Sequence, residues 1–178
     1  IMPSLVGSEM CIRDRISTIQ KEFINHIQTS QKSMENLSAV IEIAANKCIT
    51  SLNSNGKILI FGNGGSAADA QHIAAELVGR YKTERKGLAA IALTTDTSII
   101  TSISNDYGYE NIFKRQIQAI ASEKDVVIGI STGGTSNNVI TALKYAKKLK
   151  CEVIGFSGKD GGAMNDICDV HIVVPSND

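Results

Sequence analysis

The chain lacks an excess of either charge. Its 18 basic and 18 acidic residues cancel over 178 positions, so no field of one sign draws it to nucleic acid or an anionic membrane surface. A small neutral or locally captured ligand fits that balance better. It also lacks paired cysteines: Cys11, Cys48, Cys151 and Cys168 stand far apart with no C-x-x-C. That spacing argues against a zinc ribbon or redox couple and reads as reduced thiols in a cytoplasmic protein. No apolar run reaches the roughly 18 to 20 residues that span a bilayer. The opening IMPSLVGSEMCIRDR lacks the long apolar region of a signal peptide, so residues 1–15 are expected to be a leader unrelated to the fold, disordered or artefactual. No internal repeat, low-complexity tract or interdomain linker interrupts the remainder. With 43% hydrophobic residues, residues 16–178 are expected to form a single domain able to bury its own core.

From Ile16 onward, apolar residues recur at helical spacing through Ile19, Phe23, Ile27, Met34, Leu37, Ile41, Ala44, Cys48 and Leu52, which predicts one long helix or two consecutive ones. The breaker Asn53-Ser54-Asn55-Gly56 ends it. This helix carries more apolar stripe than one sheet face covers, so part of it is expected to pack on another subunit. The rhythm then changes to short apolar runs, KILIF (57–61), LAAIAL (88–93), DVVIGI (125–130), EVIGF (152–156) and DVHIVV (169–174). Such runs suit strands buried on both faces. Helical intervals at about 66–81, 97–105, 110–122, 136–149 and 163–167 alternate with them. The alternation predicts an α/β fold, a three-layer αβα sandwich around a five-stranded parallel sheet of flavodoxin-like type. Right-handed crossovers place the C-terminal strand ends on one rim, where ligands of such sheets bind.

Two strands end in similar loops. KILIF runs into Gly62-Asn63-Gly64-Gly65-Ser66, and DVVIGI into Ser131-Thr132-Gly133-Gly134-Thr135-Ser136-Asn137, each opening a helix. Glycines let backbone N–H groups approach an anion, helix N-termini add partial positive charge, and hydroxyls complete the hydrogen bonds. The pair describes a phosphate site. Ser66 and Ser136 taken singly read first as plain N-caps, Ser66 with Asp69 in a capping box, and it is two such loops on one rim that favour the phosphate site. Gly62-x-Gly64-x-x-Ala67 also matches a dinucleotide fingerprint, but the acidic partner expected about 20 residues on is missing, as is a G-x-x-x-x-G-K-[ST] loop. A compact phosphate on a polyol suits the hydroxyls better.

His72 and Glu76 lie at i and i+4 on the helix after the first loop, able to share a metal or act on one substrate. Alone, such a pair is more often ordinary helix surface. A carboxylate placed there could pass a proton between adjacent carbons of a sugar pinned by its phosphate. His26 and His171 read as structural, the latter with sheet neighbours rather than a place at the rim. Asn105 and Asp106 form a polar turn able to reach the rim. Lys82-Thr83-Glu84-Arg85-Lys86 reads as a solvated loop, with Arg80 before it a weaker phosphate candidate in trans.

At these residues the sequence resembles the sugar isomerase (SIS) family and, within it, the bacterial phosphoheptose isomerases. The resemblance spans about 16–178. It is carried by GNGGSAADAQHIAAELVGRY, ALTTDTSIITSISNDYGYENIF, GISTGGTSNNV and GFSGKDGGAMNDICDVHIVVPSND. It implies an aldose–ketose isomerase converting sedoheptulose 7-phosphate to D-glycero-D-manno-heptose 7-phosphate, a precursor of lipopolysaccharide and surface glycans. It also implies a cytoplasmic homotetramer with active sites at subunit contacts and, in many members, zinc. By position, Asn63, Gly64, Gly65 and Ser66 would meet substrate, and Asn105 and Asp106 would line the sugar. Ser131, Thr132, the Gly133 backbone and Ser136 would hold phosphate. His72 and Glu76 would be metal ligands, Glu76 also the catalytic acid/base that works through an enediol.

Two departures from the family pattern follow. T-S-G-N-S is usual where this chain has Thr132-Gly133-Gly134-Thr135-Ser136, so a hydroxyl at position 133 is lost. The family also continues past P-S-N-D into a helix bearing a glutamine and a histidine that complete the metal site. A chain ending at Asp178 is therefore expected to lack two zinc ligands and turn over little. The alternatives are a non-catalytic adaptor of the same fold that associates with a replication initiator, or a sugar-phosphate-sensing module. Retention of His72 and Glu76 favours the enzyme.

Overall fold

The computed structural model describes residues 12–177, with side chains from Arg15. Helix α1 (Ile12–Asn53) leads into β1 (Ile58–Gly62), α2 (Gly65–Val78), β2 (Ala90–Ala92) and α3 (Thr97–Tyr107). A 3-10 turn at Tyr109–Asn111 precedes α4 (Ile112–Ile120), β3 (Val126–Ile130), α5 (Asn137–Lys148) and β4 (Glu152–Ser157). A second 3-10 segment, Gly162–Asp166, leads to β5 (Val170–Val173). The strands are parallel throughout, in the order β2-β1-β3-β4-β5. This is the doubly wound flavodoxin-like order, with its switch point between β1 and β3.

Alternation along the strands builds two cores. Leu59, Phe61, Val127 and Val153 face α4 and α5, meeting Phe113, Ile117, Val139, Leu143 and Ala146; Phe61 and Phe113 stack with ring centroids 4.9 Å apart. Ile58, Ile60, Val126, Ile128, Ile154 and Ile172 face the other way, against Ala70 and Ala74 of α2 and Ala44 of α1. Leu37, Val40, Cys48 and Leu52 complete the α1 contact. No described residue of α1 before Leu37 belongs to either core, and Ile16, Ile19, Phe23, Ile24, Ile27 and Met34 are exposed.

The expected elements are present, with several shifts. One helix, not two, fills the first segment. It starts at Ile12, inside the stretch expected as a leader; residues 1–11, including Cys11, lie outside the described residues. The run 88–93 yields only the short edge strand β2, whose Ile91 is 42% exposed. The interval 110–122 divides into a 3-10 turn and α4, after Gly108 ends α3 with φ 85°. The charged run 82–86 is not simply solvated: Arg85 is half-buried and donates to backbone carbonyls at the end of α2.

Candidate active site

Gly62 and Ile130 are register partners at the ends of β1 and β3, so the loops that follow leave the rim side by side at the switch point. In the second loop, buried Ser131 places its Oγ 2.9 Å from Ser136 Oγ and accepts from the Ser136 N–H at 3.4 Å. Ser136 stands at the N-cap position of α5 but makes no cap bond. Ser66 is the second residue of α2, whose N-cap is Gly64, again without a side-chain cap. The capping-box alternative is therefore not what is built. Neither serine caps the first-turn N–H groups, and these are the groups that attract an anion. Nothing stands within 4 Å of a Cβ built on Gly64 or Gly65, so the first loop presents an open face. Gly134 is different: with φ 64°, a Cβ there would come within 1.9 Å of the Gly161 carbonyl oxygen, so only glycine lets the second loop lie on segment 158–162. Thr132 is exposed and Gly133 half-buried.

The two loops are tied by a reciprocal amide pair. Asn63 Nδ2 donates to Asn138 Oδ1 at 2.9 Å, Asn138 Nδ2 to Asn63 Oδ1 at 2.8 Å, and Asn138 Oδ1 also accepts from the Val139 N–H at 2.9 Å. Tyr109 donates its hydroxyl to Asn63 Oδ1 at 3.0 Å. A cavity of about 150 Å³ opens here, lined by Asn63, Gly64, Thr94, Tyr109 and Phe113 among others. Sequence reading missed Asn138 and Tyr109. The signal for Asn138 was present: it shares a helical face with Ala142 and Ala146, both fully buried, where an amide needs a partner.

His171 braces the second loop from behind. Its Nε2 lies 2.8 Å from Ser157 Oγ and its Nδ1 2.9 Å from Asn165 Oδ1, while the Gly158 N–H donates to the Thr132 carbonyl at 2.8 Å. Burial lowers the His171 pKa, favouring the neutral ring that can accept at one nitrogen and donate at the other. The structural reading of His171 agrees with these contacts: it stands opposite Gly155 in the sheet and bonds Ser157 of the neighbouring strand, with Asn165 as the added partner outside the sheet.

Asn105 and Asp106 lie in the last turn of α3 rather than in a turn, because the helix continues to Tyr107 before Gly108 stops it. Both are exposed, and Asn105 Nδ2 donates to Asp106 Oδ1 at 2.9 Å. On α2, His72 Nε2 and Glu76 Oε1 are 3.5 Å apart, with side chains 76% and 41% exposed. Ten residues separate Ser66 from Glu76, about 15 Å along the helix axis at 1.5 Å per residue. Within one chain, the loop that carries Ser66 and the Glu76 carboxylate therefore lie near opposite ends of α2. Among the described residues no third histidine, cysteine or acid joins His72 and Glu76. Zinc takes three or four such donors, so the described residues of one chain do not make a complete zinc site.

The chain matches the SIS domain family over residues 22–158. It is 57% identical to the phosphoheptose isomerase of Aliarcobacter butzleri over 162 residues, covering 91% of this chain and 86% of that protein. It is 55% identical to that of Campylobacter jejuni over 163 residues, 92% of this chain and 87% of the other. The solved phosphoheptose isomerase of Neisseria gonorrhoeae superposes with a TM-score of 0.86 at 41% identity, covering 94% of this chain and 88% of that one. The Francisella tularensis enzyme superposes with 0.89 at 35% identity, over 92% and 87%. A parallel sheet with hydroxyl loops at its switch point and relatives this similar lead to one statement: the chain belongs to the SIS-domain family and, within it, to the phosphoheptose isomerases.

Proposed function

We propose that this isomerase converts sedoheptulose 7-phosphate to D-glycero-D-manno-heptose 7-phosphate, supplying heptose for lipopolysaccharide or surface glycans. The relatives' name, phosphoheptose isomerase, supports the substrate class. The loop of Ser131, Thr132, the Gly133 backbone and Ser136 receives the phosphate, with the N-terminus of α5 adding partial positive charge. Asn63, Gly64, Gly65 and Ser66 border the sugar chain, and Asn105 and Asp106 bind its hydroxyls. Glu76 takes a proton from C1 to give an enediol and returns it to C2, while the hydroxyl proton passes from O1 to O2. Phosphate affinity thus lies at the loops and proton transfer at α2.

The active unit is an assembly, a homotetramer with sites at subunit contacts. The exposed stripe on α1 and the roughly 15 Å between Ser66 and Glu76 along α2 both favour a site completed by a second chain. Among the described residues, His72 and Glu76 are the pair that could hold a zinc ion, and the proton transfer is derived without one. The proposed location is the cytoplasm. Cys48, Cys151 and Cys168 are free thiols, and burial raises the last two to about 11 and about 12, which suits a reducing compartment. Among the described residues no helix is long and apolar enough to cross a membrane.

The observation that carries this reading is the placement of paired hydroxyls Ser131 and Ser136 beside the open Gly64–Gly65 face at the switch point. Replacing Glu76 with Gln keeps the shape and removes the base. Isomerisation followed by proton exchange at C1 and C2 is expected to fall at least 10³-fold, with phosphate-dependent binding retained within about threefold. Full turnover by the Glu76→Gln protein would reject the role of Glu76.

A further inference from the structure

Glu76 is the third residue from the end of α2, which closes at Val78. Final helical turns fray, because their carbonyls have no intrahelical donor. A base on such a turn is badly placed unless something else holds the backbone. Here the chain returns beneath it. Arg85 Nη2 donates to the Glu76 carbonyl at 2.7 Å, and Nη1 donates to the Leu77 carbonyl at 2.9 Å, the Lys86 carbonyl at 3.1 Å and the Gly79 carbonyl at 3.5 Å. The Leu88 N–H adds a bond to the Leu77 carbonyl at 2.9 Å. A Cβ on Gly87 would come within 2.6 Å of the Val78 oxygen, so the returning segment lies as close as backbone allows.

We infer that Arg85 is a positioning residue for the isomerase, a guanidinium clasp that fixes the last turn of α2 and so aims the Glu76 carboxylate. The inference rests on the acid/base role given to Glu76. A planar fork reaches carbonyls of successive residues at once, and a cation at a helix C-terminus complements its partial negative charge. Arg85 never touches the reacting atoms in this account. Its effect passes through the one residue whose carbonyl it grips most closely, and which also carries the base.

Two measurements on the full chain test this. In steady-state kinetics with sedoheptulose 7-phosphate, Arg85→Ala is expected to lower kcat about 10- to 100-fold, the scale of a misplaced catalytic group. KM should stay within about threefold, because the phosphate loops are untouched. Arg85→Lys, which keeps charge but loses the fork, should fall between the two. On a Glu76→Gln background, Arg85→Ala should cause no further loss. Independently of turnover, amide exchange at Val78 and Gly79 should accelerate at least tenfold in Arg85→Ala, while β1 and β3 amides keep their protection. Unchanged exchange at the end of α2 overturns the clasp, whatever the enzyme does. Faster exchange with unchanged kcat, or an equal loss on the Glu76→Gln background, overturns the aiming of Glu76 while leaving the clasp. If wild type shows no isomerisation, the functional reading fails, and exchange alone decides the clasp.

Discussion

The second loop contains two neighbouring glycines that do different work. At Gly134 the backbone is left-handed and lies against Gly161, so any side chain is strained and crowded. At Gly133 a Cβ would meet only Thr135 Oγ1, at an ordinary 3.6 Å, and this is where the resembled family carries serine. Glycine is therefore not required at 133, and a hydroxyl there would stand between Thr132 and Ser136 in the proposed phosphate site. Gly133→Ser is expected to lower KM for the sugar phosphate about 2- to 10-fold with kcat unchanged, a fraction of what a hydrogen bond to a charged group contributes. A rise in KM would mean that the phosphate does not sit over this loop. Gly134→Ser, by contrast, should destabilise the fold.

At the scale of elements, the entry to the central strands is clamped by one buried acid. Asp125, 1% exposed, accepts from the Lys57 and Ser122 N–H groups at 2.9 and 2.7 Å and pairs with Lys57 Nζ at 2.7 Å. It thereby ties the start of β1 to the start of β3. Burial pushes its carboxyl pKa upward, but the Lys57 ammonium and the Ser122 and Lys57 N–H groups together outweigh burial and hold it below the ordinary carboxylate value. A folded pKa below the unfolded one contributes stability that is complete above the unfolded value, near 3.9, and is lost as pH falls through the folded value. Asp125→Asn should cost about 3 kcal/mol in denaturant unfolding at pH 7. The difference from wild type should shrink below about pH 4, as the wild-type carboxyl itself protonates. A pH-independent difference would mean that packing, not charge, carries the clamp.

The same scale shows what the sequence disclosed. Five strands were legible because β1 and β3 are apolar at nearly every position, as burial on both faces demands. The Asp96 side chain accepts from the Ile99 N–H at 2.9 Å, marking where α3 begins, which is the start at Thr97 that the sequence predicts. The hydroxyl loops were legible from composition. The burial of Asn138 is legible from its spacing with Ala142 and Ala146, but neither its partner nor the role of Arg85 is, because each depends on a tertiary contact. Asn138 bonds a residue 75 positions away. Arg85 looked like one charge in the run KTERK until the chain folded back onto α2. Local pattern carries the elements, whereas what pins them to one another depends on contacts that no period reveals.

For the whole molecule, the unresolved demand lies on α1. Residues 12–36 extend about 37 Å at helical rise, and none of the described ones enters a core. Phe23 is 67% exposed, Met34 66% and Ile27 61%. In proteins most helical stability comes from packing an amphipathic face, and this apolar stripe is what another α1 would cover in the proposed homotetramer. Phe23→Glu combined with Ile27→Glu replaces two large apolar groups per chain by charge. Across a symmetric helix pair the loss is about 6 kcal/mol, or roughly 10⁴-fold in association. Sedimentation at micromolar concentration should show a smaller species. The Asp125 clamp and both cores lie elsewhere, so strand amides should keep their protection against exchange. If the site is completed between chains, isomerisation should fall with the assembly and return as protein concentration is raised. A variant that dissociates yet keeps its full rate per chain would place Glu76 and the hydroxyl loops in one self-sufficient subunit. A variant of unchanged mass would mean that α1 is not what holds the chains together.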